Sequence, residues 1–337
     1  MKALITGATG FVGGTLIKKL LARGDEVRGL VRKTSKVAPL KELGVELAEG
    51  DITNYDAVLE AVRGVDCVFH CAAQMGVGTA PRSQYFAVNA GGAKNVVKAC
   101  EQAGAGTLVY TSTQAVTFNF VAKRDANEKE PYPSRYKDVY SETKALGERE
   151  VLDAGRDGRL RACSIRPTFI WGAGDRLMLP AVAQMAAKNQ LFLIGGGRSQ
   201  ISSSHVDNVC HALMLAAQKE DISGEAFLIT DERNITIGEF LKGMVEAAGL
   251  PAPTKSIPYP LAFAMAAVVE KVHELPFIKT PPSMSRHGVA IMGLDLTFSC
   301  EKAKRMLGYQ PAVSIDDGMK DLTRWISEIG GIDNLAV

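Results

Sequence analysis

Short apolar runs alternate with segments of helical spacing through the first half of the chain. The runs at 2–6, 26–31, 45–49, 66–70, 107–111 and 160–165 predict strands, and the apolar spacing at 11–23, 54–63, 84–103 and 138–154 predicts helices. The strands are apolar along their length, as in Cys67-Val68-Phe69, which fits a sheet covered on both faces. Repeated strand–helix units predict an α/β fold, a doubly wound parallel sheet with helices on both sides. After Pro167 the pattern loosens. Gly172, Gly174 and Gly195 to Gly197 mark loops, a late strand at 226–229 rejoins the sheet, and helices follow at 236–248, 259–274, 299–307 and 314–329. Thr236 and Glu239 have capping-box spacing. Prolines at 251, 253, 258, 260, 276, 281 and 282 interrupt the remainder. The expected organisation is a sheet domain over 1–170, rejoined by 201–230. A smaller, mainly helical C-terminal lid over 171–200 and 231–337 would pack over the strand ends, where open sheets bind ligands.

The junction of the first strand and first helix holds Gly7, Gly10 and Gly13. Gly7 allows a tight turn, Gly10 lets the backbone approach a pyrophosphate, and Gly13 lets the helix pack closely on the strand. Amides of the loop and first turn, with Thr9, Phe11 and Val12, would face the phosphates, aided by the helix dipole. Strand, glycine loop and helix in this order form a dinucleotide-binding fingerprint, and the sheet is then of Rossmann type.

The bulk properties remove several classes. The chain has 337 residues, 46% of them hydrophobic and 23% charged, with a formal charge of +2, so nucleic acid is not implied as a partner. Six cysteines form no Cys-x-x-Cys pair and no Cys/His cluster has zinc spacing, so no metal is expected. They read as reduced, buried thiols of a cytoplasmic protein, and with a strand beginning at residue 2 no signal peptide is expected. No apolar run is long enough to span a bilayer. The nearest, 261–269, stops at Glu270 and Lys271 and reads as a core helix, with peripheral membrane contact the secondary reading.

Which dinucleotide binds turns on the end of the second strand, Gly29-Leu30-Val31-Arg32-Lys33. An acidic residue here would bond the ribose hydroxyls of NAD. Arg32 and Lys33 would instead neutralise a 2′-phosphate, so NADP(H) is preferred over NAD(H). Asp51 and Ile52 would approach the adenine, and Cys71, Ala72 and Ala73 would line the ribose and pyrophosphate. His70, at a strand end on the cofactor side, does not read as a base.

Tyr140 and Lys144 are four residues apart on one predicted helix face. At an effective dielectric of about 20, an ammonium a few ångströms away favours the phenolate by about 4 kcal/mol. That is about three pKa units, enough to bring the phenol toward neutrality for proton transfer. The hydroxyl-rich turn Thr111-Ser112-Thr113 would bond the reacting oxygen.

With these residues the chain resembles the extended short-chain dehydrogenases/reductases of the NAD-dependent epimerase/dehydratase superfamily, over essentially its full length. The matching motifs are TGATGFVG (6–13), GDIT (50–53), HCAA (70–73), VNAGGAKNV (88–96), VYTST (109–113), YSETK (140–144), IRPTFIWGAGD (165–175), HVDNV (205–209) and KAKRMLGYQP (302–311). The resemblance implies that Thr113 is the catalytic hydroxyl, with Ser112 as the alternative. It also implies that Lys144 holds the nicotinamide ribose and that Pro167, Thr168, Phe169 and Ile170 flank the nicotinamide. Asn89 would support the site, and a homodimer through sheet-domain helices is expected.

Within the family the branch must be chosen. Sugar 4,6-dehydratases carry Asp-Glu where this chain has Gln114-Ala115, so the dehydratase reading is a poor one. A nucleotide-sugar epimerase with tightly bound NAD is the alternative, with Arg198 and Arg286 as candidate pyrophosphate holders. The apolar stretch 257–284 is similar to the lid of the 3β-hydroxysteroid dehydrogenase-like branch. The expectation is therefore alcohol–ketone interconversion on a hydrophobic substrate, either a 3β-hydroxysterol, a sterol carboxylate or a long-chain β-keto or β-hydroxy acid.

Overall fold

Strands β1 (Lys2–Thr6), β2 (Glu26–Val31), β3 (Glu46–Glu49), β4 (Cys67–His70) and β5 (Thr107–Thr111) form where the apolar runs predict them. In the computed structural model, which describes residues 1–75, 80–273 and 284–334, they join Ala162–Pro167 and Ala226–Ile229 in one parallel sheet of seven strands. The spatial order is Ala226–Ile229, Ala162–Pro167, β5, β4, β1, β2, β3. The chain therefore runs outward from β1 to β3, returns, and runs outward again from β4. The direction changes between β1 and β4, where Thr6 stands beside His70, and the crevice beyond those two strand ends is where such sheets bind ligands.

Helices cover both faces. Leu16, Ile17 and Leu20 of helix Phe11–Ala22 pack with Val209 and Leu213 of helix Val206–Gln218 on one side. Val58 and Val62, Val96 and Val97, and Val151 pack on the other, from helices Tyr55–Val62, Gly92–Ala103 and Val139–Arg156. Burial on both faces is why the strands lack polar alternation.

The structure departs from expectation in definite places. The helix expected over 84–103 is three pieces, Arg82–Tyr85, a wide π-type turn at Phe86–Gly91, and Gly92–Ala103. The strand expected at 160–165 is shifted by two residues, because the turn at Gly158 (φ 69°) carries the chain through Leu160. Helices Ala38–Glu42, Met178–Ala187, Val206–Gln218 and Arg286–Gly293 form where the pattern gives no helix. Strand Lys123–Ala126 likewise forms outside the expected strands, at the edge of a second sheet ordered Ile235–Thr236, Gln200–Ile201, Leu296–Phe298, Lys123–Ala126.

The HVDNV stretch ties this later part together. Asp231 accepts from the His205 amide (2.6 Å), Asn208 Nδ2 (2.7 Å), Ser203 Oγ (2.7 Å) and Trp171 Nε1 (2.8 Å). Asn208 also exchanges two bonds with Val313, Nδ2 to its carbonyl (2.8 Å) and Oδ1 from its amide (2.9 Å). Trp171, Leu179, Phe240 and Leu322 form the core beside it.

Helix Tyr259–His273 is not the core helix expected. It buries Ala262 and Ala266 but leaves Leu261 (54%), Met265 (42%), Val268 (64%) and Val272 (44%) exposed along one stripe. The rest of the apolar stretch, with Leu275, Pro276, Phe277, Ile278, Pro281 and Pro282, lies outside the described residues. Among the described residues no helix is long and apolar enough to cross a membrane. All six cysteines are free thiols, five of them buried and Cys71 half-buried.

Candidate active site

At the end of β1, Gly7 adopts φ 70° and sits so close to the next strand end that an added Cβ would lie 2.8 Å from the Ala72 nitrogen. A Cβ on Gly13 would lie 2.2 Å from the Gly7 carbonyl oxygen. Both positions therefore require glycine, one for backbone sign and approach, the other for approach alone. Gly10 starts helix Phe11–Ala22 with no side-chain cap and no acidic residue in the first turn. The orphan amides at that helix end, together with its dipole, form an anion site facing the crevice.

The crevice is a cleft of about 570 Å³. Of the expected cofactor residues it is lined by Gly7, Thr9, Gly10, Phe11, Val12, Gly13, Arg32, Asp51, Ile52, Cys71, Ala72, Ala73, Pro167, Thr168 and Ile170. Partial burial pushes the Asp51 carboxyl up, but the Thr53 amide and hydroxyl and the nearby Arg32 charge outweigh this and hold it below the usual range. Ser35 closes the turn after β2, accepting from the Arg32 amide at 3.1 Å, and also lines the cleft.

Two expected cofactor residues are not there. Lys33 is exposed and does not line the cleft. Asn89 is buried behind the wall in the π-type turn. It accepts from the Gln74 amide (2.7 Å) and donates to Thr143 Oγ1 (3.0 Å), clamping the segment after β4 to helix Val139–Arg156. His70 is fully buried, its Nδ1 bonded to Thr6 Oγ1 at 2.7 Å. Burial, and then the Lys144 charge, lower it to about 3, so it stays neutral.

Ser112, Thr113, Tyr140 and Lys144 line the same cleft. The Tyr140 phenol meets the Thr113 hydroxyl, whereas the Ser112 hydroxyl is buried without a partner. Helix Val139–Arg156 is started by Asp138, whose Oδ1 accepts from the Ser141 amide at 2.8 Å. Gly147 lets the helix approach closely, since a Cβ there would lie 2.5 Å from the Asn89 carbonyl oxygen.

Tyr140 and Lys144 do not interact as the spacing suggested. Lys144 reaches deeper, donating to the Thr111 carbonyl at 2.7 Å with its Nζ 4.1 Å from the centre of the Tyr110 ring. Burial lowers its ammonium to about 7, opposed by the Glu148 charge one turn on. The Tyr140 phenol is pushed above its ordinary value by burial, opposed by the Thr113 bond and reinforced by Asp138. Below Lys144, Glu148 is fully buried and bonded to Arg166 Nη2 (2.8 Å), Ser164 Oγ (2.7 Å) and Tyr132 Oη (2.6 Å).

The far wall is apolar, but it is not built by the 257–273 stretch, none of whose residues lines the cleft. It comes from Phe169, from Leu177 and Met178, and from Ile291. Two capped helices hold it. Asp175 accepts from the Leu177, Met178 and Leu179 amides (2.8, 3.1 and 3.0 Å), and Ser285 Oγ accepts from the Gly288 amide at 3.0 Å. His287 also lines this wall. Nothing in the pattern marked the wall residues, since both helices are short and one follows a proline-rich stretch. Arg198 and Arg286 do not line the cleft, and Arg286 pairs with Glu270 at 2.5 Å.

A glycine-bound helix start at the switch point, with a tyrosine on a threonine hydroxyl beside a buried lysine, defines an oxidoreductase of the extended short-chain dehydrogenase/reductase class. Its relatives are dehydrogenases and reductases acting on CH–OH or keto groups. Residues 4–261 match the model of the 3-beta hydroxysteroid dehydrogenase/isomerase family, and the chain belongs to that family. It is 34% identical over 331 residues to the 2-alkyl-3-oxoalkanoate reductase of Shewanella oneidensis, covering 95% of this chain and 85% of that one. It is 32% identical over 327 residues to the decarboxylating sterol-4-alpha-carboxylate 3-dehydrogenase of Mus musculus, covering 95% and 89%. Among solved structures, a dTDP-glucose 4,6-dehydratase from Streptomyces venezuelae with NAD bound superposes with TM-score 0.76 at 23% identity, covering 97% of each chain, and so shares the fold.

Proposed function

We propose that the protein interconverts a secondary alcohol and a ketone on a hydrophobic substrate, of sterol, sterol carboxylate or long-chain β-oxo acid type, with NADP(H) preferred over NAD(H). The observation that carries this reading is the Tyr140–Thr113 hydroxyl pair facing a wall of Phe169, Leu177, Met178 and Ile291. A bound nicotinamide cofactor supplies or accepts the hydride. The uncapped start of helix Phe11–Ala22 would hold its pyrophosphate, and Arg32 its 2′-phosphate.

The protein groups do the proton work. Burial and Asp138 keep the Tyr140 phenol protonated, so at neutral pH it is a donor. In the reductive direction its proton passes to the substrate oxygen, while Thr113 bonds the same oxygen as charge develops there. The apolar wall excludes water and supplies binding area. The epimerase reading is disfavoured because neither Arg198 nor Arg286 lines the cleft to hold a sugar pyrophosphate. The test is a panel of sterols, 3-hydroxy acids, their ketones and UDP-sugars, followed by cofactor absorbance. Net NADPH consumption with apolar ketones is the expected result. Turnover of a UDP-sugar without net redox change would overturn the reading.

A further inference from the structure

The apolar wall carries an ionisable side chain, His287, that the chemistry above does not use. His287 extends from helix Arg286–Gly293 into the cleft, with its Nδ1 3.4 Å from Asp138 Oδ2. Both atoms are buried, and neither has a hydrogen-bond partner. Phe118 and Phe120 pack against the imidazole, with ring centres 6.0 and 5.6 Å away, and fix its plane. Asp138 is doubly committed. One oxygen caps the helix that carries Tyr140 and Lys144, and the other faces His287.

The Asp138 carboxylate facing Nδ1 orients the ring with that nitrogen toward Asp138 and leaves Nε2 for another partner. No described residue bonds Nε2, and the ring borders the cleft. Among the described lining residues the basic side chains are Arg32, at the end of β2, Lys144, bound to Thr111, and His287. Of these, His287 comes from the helix that also carries Ile291 of the apolar wall. A buried polar pair on an apolar wall is costly unless its remaining polar atoms meet a complementary group.

We propose that His287, held by Asp138, is the specificity-determining residue that binds a carboxylate one carbon away from the reacting carbinol or ketone. The substrate would then be a β-hydroxy or β-oxo acid with its alkyl bulk against Ile291, Met178 and Phe169. This inference rests on the alcohol–ketone reading and narrows its substrate class. Its Nε2–H donates to the acid, Nδ1–H faces Asp138, and the pair fixes the acid so that the β-oxygen meets Tyr140 and Thr113.

The experiment compares oxidation of a 2-alkyl-3-hydroxyalkanoate with that of its methyl ester, using NADP as oxidant. Wild type should prefer the acid. In His287→Gln and His287→Leu the ratio of kcat/KM for acid over ester should fall about tenfold or more, the worth of one charge-assisted hydrogen bond. The loss should lie in the KM of the acid. Asp138→Asn, which keeps a capping residue, should shift the ratio in the same direction by less. Unchanged thermal melting and NADPH affinity would show that the variants are folded. Equal losses on acid and ester, or a wild type with no preference for the acid, would overturn the assignment of His287 and leave the alcohol–ketone reading standing. No turnover of acid, ester or any apolar ketone would overturn both.

Discussion

The two halves of the cleft are held by different means. The dinucleotide half is built from main chain, in which strand ends of one parallel sheet are packed so tightly that Gly13 has no room for a single carbon beside Gly7. The other half is built from side chains, Phe169 on a strand and the rest on or beside two short helices whose first amides are held by Asp175 and Ser285. A site made of backbone cannot be altered without moving strands. A site made of capped helices can be relined one side chain at a time while the caps hold the frame. The contrast gives a physical reason why relatives can be named for different substrates, an alkyl-oxoalkanoate and a sterol carboxylate.

The largest test of this division falls on the group between the halves. Tyr140→Phe removes the proposed proton donor and should lower kcat about 10³-fold, with NADPH affinity unchanged by titration calorimetry. A parallel loss of NADPH affinity would mean that the phenol belongs to the backbone-built half. Gly13→Ala should cost about 2–3 kcal/mol in urea unfolding through overpacking, and should abolish dinucleotide binding in whatever fraction folds.

Lys144 gives a pH signature. Its ammonium falls from 10.5 to about 7 on folding. The unfolded chain therefore binds one more proton than the folded one between those values, and stability rises with pH there. Against Lys144→Met, wild type should gain about 1.4 kcal/mol per pH unit between about pH 8 and pH 9, read from denaturant midpoints. A flat difference would show that the buried amine stays charged. Arg32→Asp should weaken NADPH about tenfold and NADH much less, and equal losses would remove the phosphate role. The smallest effect is expected from Ile291→Val, with a KM for long-chain substrates raised about threefold by one lost methylene and no change in NADPH affinity.

The dinucleotide half was legible because it is repetitive and locally determined. Apolar strands, helix spacing and three glycines each act within a few residues, and β1 to β5 fall where the pattern put them. The substrate half was not. Strand Lys123–Ala126 is largely charged and becomes a strand only by pairing with Leu296–Phe298, well over a hundred residues away. Helix Val206–Gln218 hides because Asn208 is polar yet buried, spent on Asp231 and Val313. The outward stripe of helix Tyr259–His273 looked like core because an apolar residue carries no mark of which face it takes. The phenol–ammonium pairing failed for a related reason. Helical spacing places two side chains on one face, but not at one depth.

The pairing of Lys123–Ala126 with Leu296–Phe298 also sets an order in time. A ribosome that has released about 230 residues has delivered every strand of the seven-stranded sheet and the whole glycine loop, whereas His287 and Ile291 are still to be made. Domains generally fold as their chain emerges. The nascent protein would therefore acquire its grip on the nucleotide before it has a complete wall against which a substrate can rest, and the cofactor can serve as a scaffold for the last third of its own enzyme.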